Sequence, residues 1–98
     1  MLTSKQRAAL RGMANTLESL FQIGKAGITE TVIEQLNIAL EARELIKITV
    51  LESAGLGARE ASDELAKALR AEPVQSIGRK VVLYRRNYEK PIIELPKK

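Results

Sequence analysis

Leu20-Phe21-Gln22-Ile23-Gly24-Lys25-Ala26-Gly27-Ile28-Thr29 holds a strand, a loop and a helix start in one short stretch. Leu20 to Ile23 is an apolar run stopped by Gly24, which reads as a brief buried strand. Thr29 can cap a helix, and Glu30 complements the dipole of its first turn. Between them, Gly24 and Gly27 let the backbone come close to a ligand with no side chain in the way. The amides of the following helix N-terminus favour an anion, and Lys25 adds a positive charge from the same loop. Two such glycines also suit an ordinary tight turn. The Gly-x-x-x-x-Gly-Lys-Ser/Thr spacing of a nucleotide-binding loop is absent.

Outward from this stretch, the pattern predicts the order αβαβαββ. Thr3 and Gln6 have the spacing of a capping box, and Leu10, Met13, Ala14 and Leu17 follow at helical intervals, so a first helix is expected over residues 4–17. Ile33, Leu36 and Leu40 form the stripe of a second helix ending near Arg43. Residues 45–51 alternate as a strand with Ile46, Ile48 and Val50 on the core side. A loop at Ser53 to Gly57 leads to a third helix from about Ala58 to Ala71, with Ala61, Leu65, Ala68 and Leu69 inside and Pro73 as its stop. Residues 74–77 and 81–85 make a hairpin through Gly78. Short connections favour parallel pairing for the strand–helix–strand units, and the last hairpin must be antiparallel. The expected fold class is α+β: a two-layer α/β sandwich of three helices and a four-stranded mixed sheet.

Composition narrows the function. The 98 residues suit one domain, with a core over about residues 2–86 and a basic tail at 87–98 that is an extended edge segment or a frayed end. Cys and His are both missing, which removes disulfides, thiol nucleophiles, the usual zinc ligands and the usual neutral-pH base. No catalytic residue, metal site or cofactor is expected, and Glu60, Asp63 and Glu64 read as a solvated helix face. No stretch has signal-peptide or membrane-spanning character, so the expectation is a cytoplasmic monomer with no membrane partner and no small-molecule substrate.

The net charge of +4 is unevenly spread. Residues 1–25 carry Lys5, Arg7, Arg11 and Lys25 against Glu18; residues 79–98 carry seven basic residues against Glu89 and Glu94; the middle is acidic. If folding unites the two ends, one face attracts phosphate, as in a nucleic-acid binder. Arg7 and Arg11, four apart on one helix, suit an anion clamp better than helix stability. With the Gly24–Gly27 loop, this is the physical outline of an RNA-backbone clamp of the KH type. Arg79, Lys80, Arg85 and Arg86 can contact phosphate or simply keep an edge soluble, and Tyr84 and Tyr88 can stack on a base or line a core rim. An adaptor docking an acidic protein through the same basic face is the competing reading.

The chain resembles a known family at several motifs in order: Leu2-Thr3 with Gln6-Arg7 and Leu10-Arg11, then Ile23 to Thr29, Glu44-Leu45-Ile46-Lys47, Ile77-Gly78-Arg79-Lys80 and Val82-Leu83-Tyr84-Arg85. Together they look like a stand-alone, bacterial YhbY-like CRM domain, named for chloroplast RNA splicing and ribosome maturation. The resemblance implies a fold similar to the C-terminal domain of translation initiation factor three. It also implies an RNA-binding assembly factor that associates with ribosomal RNA in large-subunit precursors. The RNA-binding residues it implies are Arg7, Arg11, Gly24, Lys25, Ala26, Gly27, Arg79, Lys80 and Arg85. Many loops of the family are polar where this chain has Ala26, which shifts weight to backbone amides.

Overall fold

The computed structural model describes residues 2–96; Met1 and the terminal lysines, Lys97 and Lys98, that were counted in the basic tail lie outside the described residues. The elements are α1 (Ser4–Ala14), β1 (Phe21–Ile23), α2 (Glu30–Arg43), β2 (Leu45–Val50), α3 (Ala58–Leu69), β3 (Glu72–Ile77) and β4 (Lys80–Tyr84), with a 3-10 turn at Glu52–Ala54. The expected order holds. The sheet runs β1-β2-β4-β3. β1 and β2 are parallel, while β4 is antiparallel to both its neighbours. Three helices on a four-stranded mixed sheet make the fold α+β.

The layering differs from a simple two-layer arrangement because the central strand β4 is apolar on both faces. Val81 to Tyr84 is a continuous buried run, as expected of a strand covered on each side. Ile46, Ile48, Val50, Val81 and Leu83 face α2 and α3, whose Leu36, Leu40, Ala61, Leu65 and Leu69 complete that core. Leu45, Val74, Val82 and Tyr84 face the other way and meet Leu10 and Ala14 of α1. The tail joins this second core through Ile93 and Leu95.

Helix boundaries show how local bonds overrule periodicity. The Thr3–Gln6 capping box is formed on both sides, with Thr3 Oγ1 accepting the Gln6 amide and Gln6 Oε1 accepting the Thr3 amide, each at 3.1 Å. α1 ends at Ala14 rather than residue 17, because the Thr16 hydroxyl and the Leu17 amide bond back to Met13 and Ala14 carbonyls and close the last turn. Leu17 still packs on the α1-side core from the loop, while Met13 is exposed. Leu20 is exposed and outside β1. α3 stops at Leu69, where Arg70 turns left-handed at φ 54°, and Pro73 is not the stop. Pro73 sits in β3, an edge strand that tolerates a residue without an N–H, beside a register irregularity between Pro73 and Gln75. Ala68, expected inside, is exposed, and Ser62 is buried instead.

Candidate functional site

β1 and β2 are parallel, and β4 starts where they end, so three connections gather at one edge of the sheet: residues 24–29, residues 51–57 and the Gly78-Arg79 turn. The Gly27 amide donates to the Gly24 carbonyl at 2.8 Å, which closes the first of these into a tight turn. Gly27 has φ +74°, a left-handed conformation that favours glycine. Gly24 has no such requirement, and a Cβ there would meet Leu51 Cδ1 at an ordinary 3.6 Å. Lys25 and Ala26 stand exposed at the tip, and their amides have no acceptor among the described residues. The turn runs into the N-terminus of α2, where Thr29 Oγ1 accepts the Val32 amide at 3.2 Å.

Arg79 holds this end together. Its Nε donates to the Val50 carbonyl at 2.6 Å, and its Nη2 donates to the carbonyls of Leu51 at 3.1 Å and Leu56 at 3.2 Å. Leu51 in turn donates its amide to the Ile23 carbonyl at 2.9 Å, which joins the 51–57 connection to the glycine turn. Lys80 reaches to the α1 side of the sheet, with Nζ 2.8 Å from Thr49 Oγ1. Lys25, Arg79 and Lys80 therefore belong to one end of the molecule.

Arg85 belongs to the other. It follows Tyr84 at the far end of β4, which at about 3.4 Å per residue is roughly 17 Å from Lys80. Its guanidinium donates to Asn37 Oδ1 at 2.8 Å, to the carbonyls of Leu69 at 2.9 Å and Asn37 at 3.1 Å, and pairs with Glu41 at 3.2 Å. These bonds tie the C-terminal half of α2 to the end of α3. Arg7 also points to that half of the sheet, its Nη1 donating to the Pro73 carbonyl near the start of β3. Arg11 is exposed in the last turn of α1. The fold thus brings Lys25, Arg79 and Lys80 together and leaves Arg7 and Arg85 away from them.

Sequence reasoning quoted Glu44 within a motif but gave it no role. It follows α2 at φ 64°, a position glycine usually takes, and it is 0% exposed. Its carboxylate accepts the amides of Asn87 at 2.7 Å, Ile92 at 2.8 Å and Ile93 at 2.6 Å, and its carbonyl accepts the Arg85 amide at 2.9 Å. Burial pushes its pKa up, but the three amides and the nearby Arg86 charge outweigh this and hold it below the usual glutamate value. Burial and the Glu44 charge push the Tyr84 hydroxyl the other way, above its ordinary value. The physical signal in the sequence, beside the motif, was a helix running directly into a strand with no glycine between them.

Residues 2–85 match the model of the CRS1 / YhbY (CRM) domain. The chain belongs to this family. Two relatives of this CRM domain are similar along almost their whole lengths. The Bacillus subtilis "Probable RNA-binding protein YqeI" is 44% identical over 96 residues, which is 98% of this chain and all of that protein. A Haemophilus influenzae protein named simply "RNA-binding protein" is 34% identical, over 99% of this chain and 97% of its own. Among solved structures, SAV1595 from Staphylococcus aureus, described as a candidate RNA-binding protein, superposes with a TM-score of 0.78 at 43% identity, over 98% of this chain and 100% of that one. In this CRM domain the Gly24–Gly27 turn lies at the open end of the sheet, and the closing Leu83-Tyr84-Arg85 motif lies at the bonded end.

Proposed function

We propose that this chain is a non-enzymatic RNA-binding protein that associates with ribosomal RNA in precursors of the large ribosomal subunit. It acts as a single-domain cytoplasmic monomer and grips the RNA backbone with the Gly24–Gly27 turn. The observation that carries this reading is the turn itself: a charged, exposed tip at Lys25, two neighbouring amides without acceptors among the described residues, and no side chain at Gly24 or Gly27 to obstruct a phosphate. Lys25, Ala26, Arg79 and Lys80 form the immediate contact surface. Arg79 contributes through the loops it anchors as much as through its charge. Arg7 and Arg11 extend the cationic field over a longer RNA, and Arg85 acts through the helices it braces. The names borne by the B. subtilis and H. influenzae relatives support RNA as the partner.

The test is titration of a labelled large-subunit ribosomal RNA fragment at physiological salt, repeated with excess acidic protein. Binding tighter than about 10⁻⁴ M that survives the competitor is expected, with a log–log salt slope that falls by up to about one unit in Lys25→Gln. Binding lost to the acidic competitor means that the basic surface docks a protein instead. In cells, the protein should co-sediment with large-subunit precursor particles, and Lys25→Gln combined with Arg11→Gln should release it at unchanged abundance.

A further inference from the structure

At the bonded end of the sheet, away from the glycine turn, a groove of about 460 Å³ opens between α1, the start of β3 and the segment after β4. Its walls include Gln6, Arg70, Tyr84, Arg86, Tyr88 and Leu95. That volume lies within the ~300–1,000 Å³ of small-ligand sites. Glu72 is the one acidic residue among the described lining residues, against Arg70, Arg85 and Arg86, so the wall is cationic.

Three groups in this groove are left over by the fold's own bonds: a buried hydroxyl, a guanidinium and an exposed ring. Tyr84 is only 3% exposed, yet its hydroxyl has no hydrogen-bond partner among the described residues. A buried hydroxyl is normally paired, and one left over calls for an explanation. Arg70 occupies a left-handed position, φ 54° and ψ 42°, where glycine or asparagine ends a helix with less strain. The strained residue projects its charge from the end of α3 and has no carboxylate within ion-pair distance among the described residues. Tyr88 is 85% exposed, with the Arg86 guanidinium 5.7 Å from its ring centroid, so one face of the ring is braced. Exposed aromatic rings with flanking arginines are how proteins hold unpaired bases.

We propose that this groove is a second RNA contact, taking one unpaired nucleotide. The base stacks on Tyr88, the Tyr84 hydroxyl bonds to the nucleotide, and Arg70 and Arg86 flank its phosphate. The proposal rests on the RNA-binding reading and gives the protein contacts at both ends of one sheet.

The experiment measures binding of the full chain to a labelled single-stranded RNA hexanucleotide, with AMP and inorganic phosphate titrated alongside, and thermal unfolding of each variant. Arg70→Gly and Tyr84→Phe are the informative pair because structure and binding should move apart. Glycine relieves the left-handed strain and phenylalanine removes the unpaired hydroxyl, so neither should lower Tm. Each should weaken hexanucleotide binding about three- to tenfold. Tyr88→Leu should weaken it fivefold or more through lost stacking, and AMP and phosphate alone should bind far more weakly than RNA. Unchanged hexanucleotide affinity in these variants, while Lys25→Gln and Gly24→Ala do weaken it, overturns the groove and leaves the glycine turn standing. The reverse pattern upholds the groove and removes the turn. A groove that takes AMP as tightly as RNA is a free-nucleotide site, and a wild-type protein that binds no RNA ends both readings.

Discussion

The two ends of the sheet solve the same problem with opposite charges. Where β2 ends, Arg79 donates to three backbone carbonyls of the outgoing chain; where β2 begins, Glu44 accepts three backbone amides of the tail. The first end leaves a glycine turn and its exposed lysine open. The second is braced by its own bonds, with Arg85 joining α2 to α3 and the tail covering the α1-side core beside the groove at Tyr88. A cation one residue beyond a strand can therefore be a ligand contact, a splint for a ligand loop or part of the scaffold. Its charge alone does not distinguish these uses.

The strongest way to break this comparison is at Glu44. Glu44→Ala leaves three amides without their charged acceptor and should cost about 3 kcal/mol or more, read by urea unfolding. Amide exchange at Asn87, Ile92 and Ile93 should accelerate in the same variant. Acid should act at the same place. Because the folded pKa of Glu44 is depressed, its contribution is fully present above the ordinary glutamate range and is lost as pH falls through the folded value. NMR should show Ile93 and Leu95 leaving the core as that happens, ahead of global unfolding. An acid titration in which the tail and β1 melt together would remove the special role of this end.

The two arginines come next. Arg85→Gln should cost about 2 kcal/mol of stability with little change in RNA affinity, because its donors are engaged inside the fold. Arg79→Gln should cost about 1–2 kcal/mol and also weaken RNA binding, because the loops it anchors lie beside the glycine turn. Equal effects on RNA affinity would erase the difference between the ends. The smallest structural effects belong to the glycines. Gly27→Ala should cost about 1 kcal/mol for its left-handed backbone. Gly24→Ala should stay within about 0.5 kcal/mol of wild type, so a loss of RNA affinity there reports close approach by the ligand. Gly27→Asp, by contrast, would mix backbone strain with charge repulsion.

The fold was legible wherever local chemistry and periodicity agreed. The capping box at Thr3, the Thr29 cap, the alternation of residues 45–51 and the Gly78 turn all became the elements they suggested, except that Leu51 falls just outside β2. It was less legible where tertiary contacts decide. The double-sided burial of β4 is written in Val81 to Tyr84, but nothing local says which helix covers which face. Ala68 fits an apolar stripe and yet points to solvent because Ala58, Ala61, Leu65 and Leu69 already fill the α3 interface. At the site, the glycine turn and Lys25 could be read directly, since spacing and charge are local. The separation of Arg7 and Arg85 from them could not, because it depends on strand direction and on carbonyls such as Pro73 and Leu69 that a sequence does not advertise.

The tail's return to α1 also bears on how the chain may be cut. Gln6 Nε2 donates to the Pro96 carbonyl at 3.0 Å, and Leu2 and Leu95 pack on the same apolar cluster. Proteins whose ends meet in this way accept circular permutation. A short linker from residue 96 back to residue 2, with new termini opened near the exposed Thr16 and Glu18, would turn α1 into the final element while keeping every strand pairing. In topological terms α1 is a detachable cover that either end of the sheet-forming segment could supply.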